Sequence, residues 1–363
     1  MIPIYQPDLT EKEKSNVLRC LESTWISSKG YFIDRFEEAL RSFTGAHHAS
    51  TVCNGTVAIH LALHALGLKH GDEVLVPSFT YVASANPILQ IGAVPVFVDC
   101  DPETWQMNVD QLNEKLTDRT KGVIAVHIYG HASPIMAIRK FCDKNSLFLV
   151  EDCAEALGTF HGEVHVGNFG DLGTFSFFGN KTITCGEGGA IVTNSAALAE
   201  RVALLKNQGM DPHRRYWHTE LAFNYRMTNL QAAIGLAQIE RVDETLQKKR
   251  ILAQKYIQIF KTLGLKTQEE RAGTIHSYWM NSVLFEDKLQ KEKVVTEFEN
   301  SGIETRPLFP PLHTMPMFKR NGVNLPISEK LHLVGLNLPS WPGLNQEQFE
   351  KISHALTKAV KTT

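Results

Sequence analysis

A single lysine, Lys181, lies between two apolar, β-rich runs of this 363-residue sequence. Thr174–Phe178 precedes it, and Ala190–Thr193 follows a glycine-rich turn at 186–189. Two short strands joined by that turn would hold Lys181 on a loop of fixed geometry. A lysine held at reduced polarity loses part of its preference for the charged form, so its amine can act as a nucleophile or a base. A lone lysine on a hairpin is also commonly just solvated, so other residues must supply partners for this amine.

The segment Asn54-Gly55-Thr56 opens an amphipathic stretch that extends to Leu66. A helix beginning there has free backbone N–H groups, no side chain at Gly55 and a hydroxyl at Thr56. Its dipole also favours an anion, so these residues suit a phosphate group. A plain helix cap made by Asn54 or Thr56 would account for the same residues, and both interpretations stand at this point.

Short β-branched runs alternate with helical patterns in the first 150 residues, which predicts βαβ units and a mostly parallel sheet. Ligands of such sheets bind beyond the carboxyl ends of the strands. Three segments are predicted to lie there, namely Ser78–Tyr81, His127–His131 and Glu151–Glu155. Asp152 ends an apolar strand, and its carboxylate could orient a cationic ring nitrogen, bind a metal or cap the next turn. Metal is the weakest of the three, because no second His/Asp cluster with ligand spacing accompanies it.

The second half of the chain has a different pattern. A long polar and aromatic loop is predicted at Gln208–Thr228, and loops of this length are rarely without a function in compact domains. One long helical pattern runs from Asn229 to about Leu263 and is predicted to bridge the two halves of the molecule. Later elements are a strand at Tyr278–Phe285, a proline-rich loop at Arg306–Pro316 and a final helix at Gln346–Lys361.

The composition is that of a water-soluble globular protein, with 43% hydrophobic residues, 21% charged residues and a formal net charge of −2. Lysine and arginine are spread along the chain, so no nucleic-acid partner is predicted. The six cysteines form no CxxC pair and no zinc spacing. We find no signal peptide and no apolar run of the roughly 18 residues that a membrane span needs. We therefore expect a cytoplasmic protein without a membrane partner.

Four features converge on one cofactor: a loop lysine, a phosphate-ready helix start, an acid at a strand end and an aromatic residue beyond another strand. Pyridoxal 5'-phosphate (PLP) needs these four things. A lysine forms a Schiff base with it, a carboxylate keeps its ring nitrogen protonated, and N–H donors hold its phosphate. An aromatic ring then covers one face of the cofactor ring and leaves the other open.

Three long motifs carry a resemblance to a known family: VEDCAEALG (Val150–Gly158), GDLGTFSFFGNKTITCGEGGAIVTN (Gly170–Asn194) and FNYRMTNLQAAIGLAQ (Phe223–Gln238). With them, the chain resembles the DegT/DnrJ/EryC1/StrS sugar-nucleotide aminotransferases over essentially its whole length. The resemblance implies an α/β protein of the PLP-dependent transferase type I (aspartate aminotransferase-like) fold. A large PLP-binding domain is expected over residues 1–240, with a smaller C-terminal α/β domain over 241–363.

The same resemblance implies roles for the cofactor-binding residues. Lys181 is expected to bond covalently to the cofactor and to carry a proton between substrate and cofactor, and Asp152 to pair with the ring nitrogen. Tyr81 takes the stacking position. Glu155, where many members carry glutamine, is expected to share a proton with the ring hydroxyl, which could raise the pKa of Glu155. The implied phosphate ligands are Gly55, Thr56, Ser176 and, from the partner subunit of a homodimer with shared active sites, Asn224.

The implied reaction is ping-pong amino transfer from L-glutamate, through the pyridoxamine form of the cofactor, to the C4 ketone of a nucleotide-linked 4-keto-6-deoxy sugar. Relatives that instead remove a 3-hydroxyl carry histidine in place of this lysine, so Lys181 favours transamination. The favoured substrate is GDP-4-keto-6-deoxy-D-mannose, giving GDP-perosamine for O-antigen or another surface glycan. A dTDP-4-keto-6-deoxyglucose 4-aminotransferase and a non-catalytic regulator of the same fold are the alternatives. The candidate substrate contacts are Trp25, Ser27, Lys29, Arg226 and His313.

Overall fold

The computed structural model describes residues 1–319 and 322–361. Its earlier strands are β1 (His48–Val52), β2 (Glu73–Pro77), β3 (Val94–Val98), β4 (Thr120–Val126), β5 (Phe148–Asp152), β6 (Phe160–His161), β7 (Val164–His165), β8 (Leu172–Ser176) and β9 (Gly189–Thr193). The later strands are β10 (Thr274–Ile275), β11 (Asn281–Leu284), β12 (Arg306–Pro307) and β13 (Gly335–Leu338).

The helices before residue 210 are α1 (Glu11–Ser23), α2 (Tyr31–Thr44), α3 (Gly55–Ala65), α4 (Asn86–Gln90), α5 (Leu112–Lys115), α6 (Ile135–Lys144) and α7 (Ala196–Lys206). Those that follow are α8 (Asn229–Ile239), α9 (Val242–Thr262), α10 (Lys288–Asn300), α11 (Pro326–Val334) and α12 (Gln346–Lys361). Within the described part of the chain, none of these helices has the length and apolar character of a membrane span.

A seven-stranded sheet forms the centre of the molecule, in the order β1-β9-β8-β5-β4-β2-β3. The five strands from β8 to β3 run parallel to one another. Strand β9 is antiparallel to both β8 and β1. All residues of β2 and β9 are buried, as expected for a sheet that helices cover on both faces. The predicted α/β architecture and the strand pair on either side of Lys181 are confirmed.

A smaller antiparallel sheet has three strands in the order β11-β13-β12 and is separate from the central sheet. Helices α9, α10 and α12 pack against it through a separate apolar core that includes Tyr256, Phe298 and Ile352. We propose that this core marks the C-terminal domain of residues 241–363, apart from the large domain of residues 1–240.

The first five residues cross from one part of the molecule to the other. The backbone N–H of Ile2 donates to the carbonyl of Gly302 at 2.7 Å, and that of Ser340 donates to the carbonyl of Ile4 at 3.0 Å. The Tyr5 hydroxyl then donates to the carbonyl of Lys181 at 2.7 Å. This segment therefore links the smaller sheet to the lysine loop.

Two predicted elements differ in the structure. The pattern from Asn229 to Leu263 forms two helices, because Arg241 leaves the helical region (φ −122°, ψ 19°). Its guanidinium instead lies 3.0 Å from a carboxylate oxygen of Asp8, so ion pairing to the N-terminal segment accompanies the break. The predicted strand at Tyr278–Phe285 is shorter, since Tyr278 has a positive φ of 50° and cannot extend β11.

Candidate active site

A cavity of about 480 Å³ lies at the carboxyl ends of β5 and β8, beside the start of α3. Its position agrees with the general location of ligand sites in parallel α/β sheets. Trp279 and Phe309 close it from the C-terminal part of the chain. The structure brings together in its wall all but one of the predicted cofactor residues, namely Gly55, Thr56, Tyr81, Asp152, Glu155, Ser176 and Lys181.

Lys181 lies on the loop between β8 and β9, where both strands restrain it. Its side chain is 13% exposed, and Nζ lies 3.6 Å from Oε1 of Glu155. On another side, Nζ lies 4.1 Å from the centroid of the Trp279 ring. The amine is therefore partly buried at the cavity wall between Glu155 and Trp279, and it is not a solvated hairpin lysine.

Glu155 is a buried carboxyl group whose neighbours set its protonation. Burial raises its pKa from 4.5 to about 7, and the nearby Asp152 carboxylate acts in the same direction. The charge of Lys181 and the backbone N–H of Tyr129, which donates to Oε2 at 2.8 Å, partly oppose this rise. Glu155 can therefore bind or release a proton near neutral pH.

This raised pKa predicts a pH-dependent stability. The folded chain holds the Glu155 proton more tightly than the unfolded chain does, so the free energy of unfolding of the cofactor-free protein falls as pH rises from 4.5 through about 7. Glu155→Gln has no proton to lose at this position. The free energy of unfolding of the variant, relative to that of the wild type, should therefore rise by on the order of 2–3 kcal/mol between pH 4.5 and 8. Urea denaturation across this range measures the difference.

The control for that experiment is Glu163→Gln, because Glu163 is exposed. This variant should follow the wild-type pH profile throughout. Parallel profiles for Glu155→Gln and wild type would show that Glu155 titrates normally in the folded chain.

Asp152 is the last residue of β5 and is only 4% exposed. The Ser84 hydroxyl donates to its Oδ2 at 2.7 Å, and the backbone N–H of Ala154 donates to its Oδ1 at 3.1 Å. Thr80 in turn bonds Ser84 at 2.9 Å. These donors fix the carboxylate at the cavity wall, where it can accept a hydrogen bond from a protonated ring nitrogen.

A buried group next to Asp152 has the residue types of a metal site. His127, Glu151 and Cys153 offer ligand atoms within 4.8 Å of one another. The Glu151 oxygens, however, accept a hydrogen bond from His127 Nε2 at 3.0 Å, and the other ring nitrogen of His127 accepts the N–H of Ser133. Three more N–H donors reach the same carboxylate, from Gly167, Phe169 and Gly170. These hydrogen bonds fix the end of β5. They also occupy the ring nitrogens of His127 and the carboxylate oxygens of Glu151 that a metal ion would need as ligands.

The start of α3 approaches the ends of two strands closely. A Cβ on Gly55 would lie 2.7 Å from the Cβ of Ser176, and one on Gly189 would lie 2.5 Å from the carbonyl oxygen of Asn54. The Asn54 side chain accepts the N–H of Val57 at 3.0 Å, so Asn54 is a helix cap, as one interpretation required. The helix N-terminus still faces the cavity beside the Ser176 and Thr56 residues, which together fit a phosphate group.

Tyr81 follows β2 and lies at the open side of the cavity, with 56% of the residue exposed. Its ring centroid is 5.7 Å from that of Phe309. An aromatic face exposed in this position can stack on a flat ring that enters the cavity.

Asn224 and Arg226 do not line this cavity. Asn224 is exposed, and its side-chain oxygen accepts a hydrogen bond from Arg226 Nε at 3.0 Å. Arg226 also pairs with Val52 in an isolated antiparallel bridge. Both residues belong to the segment between α7 and α8 and are available at the surface of the single chain.

The other predicted substrate contacts also lie outside the cavity wall. The loop that contains Trp25, Ser27 and Lys29 is exposed, and Asn229 at the start of α8 holds it through the carbonyls of Trp25 and Ser27, at 2.7 and 2.6 Å. His313 is buried, with Nδ1 2.7 Å from the Ser78 hydroxyl and Nε2 3.1 Å from Glu329.

The sequence prediction missed three residues of the site. Ser84 could have been found, since it lies three positions after Tyr81 on the same turn and near the strand end. Trp279 and Phe309 lie about 100 or more residues away in sequence from Lys181 and give no local signal. Only the packing of the C-terminal part against the large sheet brings them to the cavity.

Comparisons with known proteins agree with this geometry. Residues 7–357 match the model of the DegT/DnrJ/EryC1/StrS aminotransferase family. The chain is 48% identical over 360 residues to GDP-perosamine synthase of Vibrio cholerae and 48% identical over 357 residues to that of Escherichia coli O157:H7, with 98% of each chain covered in both cases. The solved structure of the aminotransferase TlmJ from Streptoalloteichus hindustanus superposes with a TM-score of 0.95 at 30% identity, over 100% of this chain and 99% of that one. The family resemblance is thereby confirmed, and the chain belongs to the DegT/DnrJ/EryC1/StrS aminotransferases.

Proposed function

We propose that this protein is a PLP-dependent aminotransferase that moves an amino group from L-glutamate to the C4 ketone of GDP-4-keto-6-deoxy-D-mannose, giving GDP-perosamine. The observation that carries this proposal is the placement of Lys181, Asp152 and the α3 N-terminus around one cavity. The 48% identity to GDP-perosamine synthases over 98% of the chain supports the choice of substrate. A role in O-antigen or other surface-glycan synthesis, in the cytoplasm, is part of the same proposal.

The residues present fit the cofactor at each of its polar groups. The N-terminus of α3, with Gly55, Thr56 and Ser176, would hold the phosphate, and Asp152 would hold the proton on the ring nitrogen. Tyr81 would cover one face of the ring. When bound, the cofactor supplies an electron sink for the pair of electrons left when a proton leaves the amino-bearing carbon.

Lys181 and Glu155 do the proton chemistry in this proposal. The amine of Lys181 would hold the cofactor and, once free, would accept and give up a proton at Nζ. Glu155 lies 3.6 Å away and keeps the released amine near the reacting atoms. Because its pKa lies at about 7, the Glu155 carboxyl can also share a proton with a hydroxyl group beside it.

A homodimer with shared active sites is a further part of the proposal. Asn224 lies outside the cavity of its own chain and is exposed, so it is free to reach the phosphate site of a second copy. Trp25, Ser27, Lys29 and Arg226 keep their proposed role as substrate contacts from such a surface. His313 is the weakest candidate, because both of its ring nitrogens already have partners within the chain.

The test offers GDP- and dTDP-linked 4-keto-6-deoxy sugars side by side, each with L-glutamate and PLP-loaded protein. We expect kcat/KM to favour the GDP sugar by at least about 100-fold, because base recognition relies on specific hydrogen bonds. A preference for the dTDP sugar would replace GDP-perosamine synthesis by the dTDP-linked alternative. If the protein binds the cofactor, as measured by visible absorbance, but transfers no amino group to either sugar, the result would favour the non-catalytic regulator.

A further inference from the structure

The amine of Lys181 has an aromatic neighbour that belongs to none of the motifs around the lysine. Trp279 precedes β11 in the C-terminal part of the chain and is 4% exposed. Nζ of Lys181 lies over its indole ring at 4.1 Å from the centroid. A cation at this distance is attracted by the negative face of the ring, and tryptophan is the strongest aromatic residue in this interaction.

Several bonds fix the indole ring in this position. Its Nε1–H donates to the carbonyl of Asn180 at 2.7 Å, so the ring is tied to the residue directly before Lys181. The backbone N–H of Trp279 donates to the carbonyl of Tyr129 at 3.1 Å, and the two rings stack at 6.1 Å with an angle of 9°. The buried Lys249 ammonium donates to the carbonyl of Trp279 at 3.1 Å. The indole ring is therefore held through its backbone, its edge and its stacking on Tyr129.

Tyr129 links Trp279 to Glu155, the carboxylate that also contacts the Lys181 amine. Tyr129, which stacks on Trp279, also donates its backbone N–H to Glu155 at 2.8 Å. One residue thus sets the positions of both groups that contact Nζ. The carboxylate attracts a cation and can also accept its proton, whereas the indole face attracts the cation and has no site for the proton.

We propose that the Trp279 ring and Glu155 form a two-sided binding site for the Lys181 ammonium, the form in which the released lysine carries a proton. This inference rests on the proposed function, since it explains how the released amine is kept beside the reacting atoms. Trp279 is then a member of the active site that stabilises the charged form of Lys181. The other titratable groups of the cavity wall are Asp152, Tyr81 and Glu187.

The experiment measures the rate of trace acetylation of Lys181 at neutral pH in cofactor-free protein, by mass spectrometry of the peptide that contains it. Acetylation needs the uncharged amine, so the rate reports how strongly the site holds the ammonium. We expect Lys181 to be acetylated about three- to tenfold faster in Trp279→Leu than in the wild type, because the ammonium loses the attraction of the indole face. Trp341→Phe is the control. Trp341 is also 4% exposed and lies in the C-terminal core, so its replacement should leave the acetylation rate of Lys181 unchanged.

A second measurement keeps the shape of the site intact. Replacement of all tryptophans by 5-fluoro- and then by more highly fluorinated tryptophan weakens the negative ring face, and Trp279 is the tryptophan that contacts Lys181 among the described residues. The acetylation rate of Lys181 should rise stepwise with fluorine number. An unchanged rate across the fluorinated series, or in folded Trp279→Leu, would overturn the proposal. Neither measurement depends on amino transfer, so loss of the proposed function would be seen separately.

Discussion

Replacement of Lys181 by alanine is expected to lower the rate of amino transfer by at least about 10⁴-fold, because it removes both the covalent attachment of the cofactor and the group that moves the proton. Cofactor can still bind through the α3 N-terminus and Ser176, so the variant should retain cofactor after gel filtration while its visible spectrum changes. Single-turnover assays with L-glutamate and the GDP sugar measure the loss.

The control for this prediction is Lys140→Ala, since Lys140 is an exposed lysine of α6 outside the cavity. Its activity should equal that of the wild type. Activity of Lys181→Ala within tenfold of this control would show that another group carries the chemistry.

Asp152→Asn is expected to lower kcat by about 10³-fold, since a neutral amide cannot hold the ring nitrogen in its protonated form. The shape of the side chain is kept, and the Ser84 hydroxyl can still donate to the amide oxygen. The amide NH2 then faces the backbone N–H of Ala154, which loses its acceptor, so the free energy of unfolding should fall by about 1–3 kcal/mol. Steady-state kinetics at saturating substrate measure the effect.

Ser84→Ala separates the charge of Asp152 from its orientation. The Ser84 hydroxyl donates to Asp152 Oδ2 at 2.7 Å, and its loss leaves the charge in place but frees one oxygen. A loss of roughly tenfold in kcat is expected, by comparison with the larger cost of removing the charge. If Asp152→Asn cost no more than Ser84→Ala, the carboxylate would serve only as a structural cap.

The cofactor side of the site could be predicted from sequence because its residues lie at the ends of parallel strands. A strand end is a local pattern, and Asp152 directly follows an apolar run that can be recognised without a structure. Ser176 lies within the run Thr174–Phe178 and was assigned through the family resemblance. The adjacent strands β5 and β8 then bring these ends together, with Asp152 paired to Thr174 in the ladder. The surroundings of Lys181 could not be predicted in this way, because the Trp279 ring that contacts its amine lies far away in the sequence.

The substrate side could not be predicted in the same way. Trp25, Ser27 and Lys29 form an exposed loop whose place is set by hydrogen bonds to Asn229, about 200 positions later in the chain. Such contacts depend on tertiary packing, which residue types and spacing do not encode. The break between α8 and α9 was missed for the same reason, because Arg241 pairs with residues of the N-terminal segment.

The N-terminal segment has a consequence for how the molecule is assembled during synthesis. Ile2 and Ile4 are made before their partners Gly302 and Ser340, which lie about 300 positions later in the sequence. Contacts of such large sequence separation form late and slow the completion of folding. The large sheet can therefore form during translation, while the hydrogen bonds that tie the lysine loop to the smaller sheet must wait until Gly302 and Ser340 have been made.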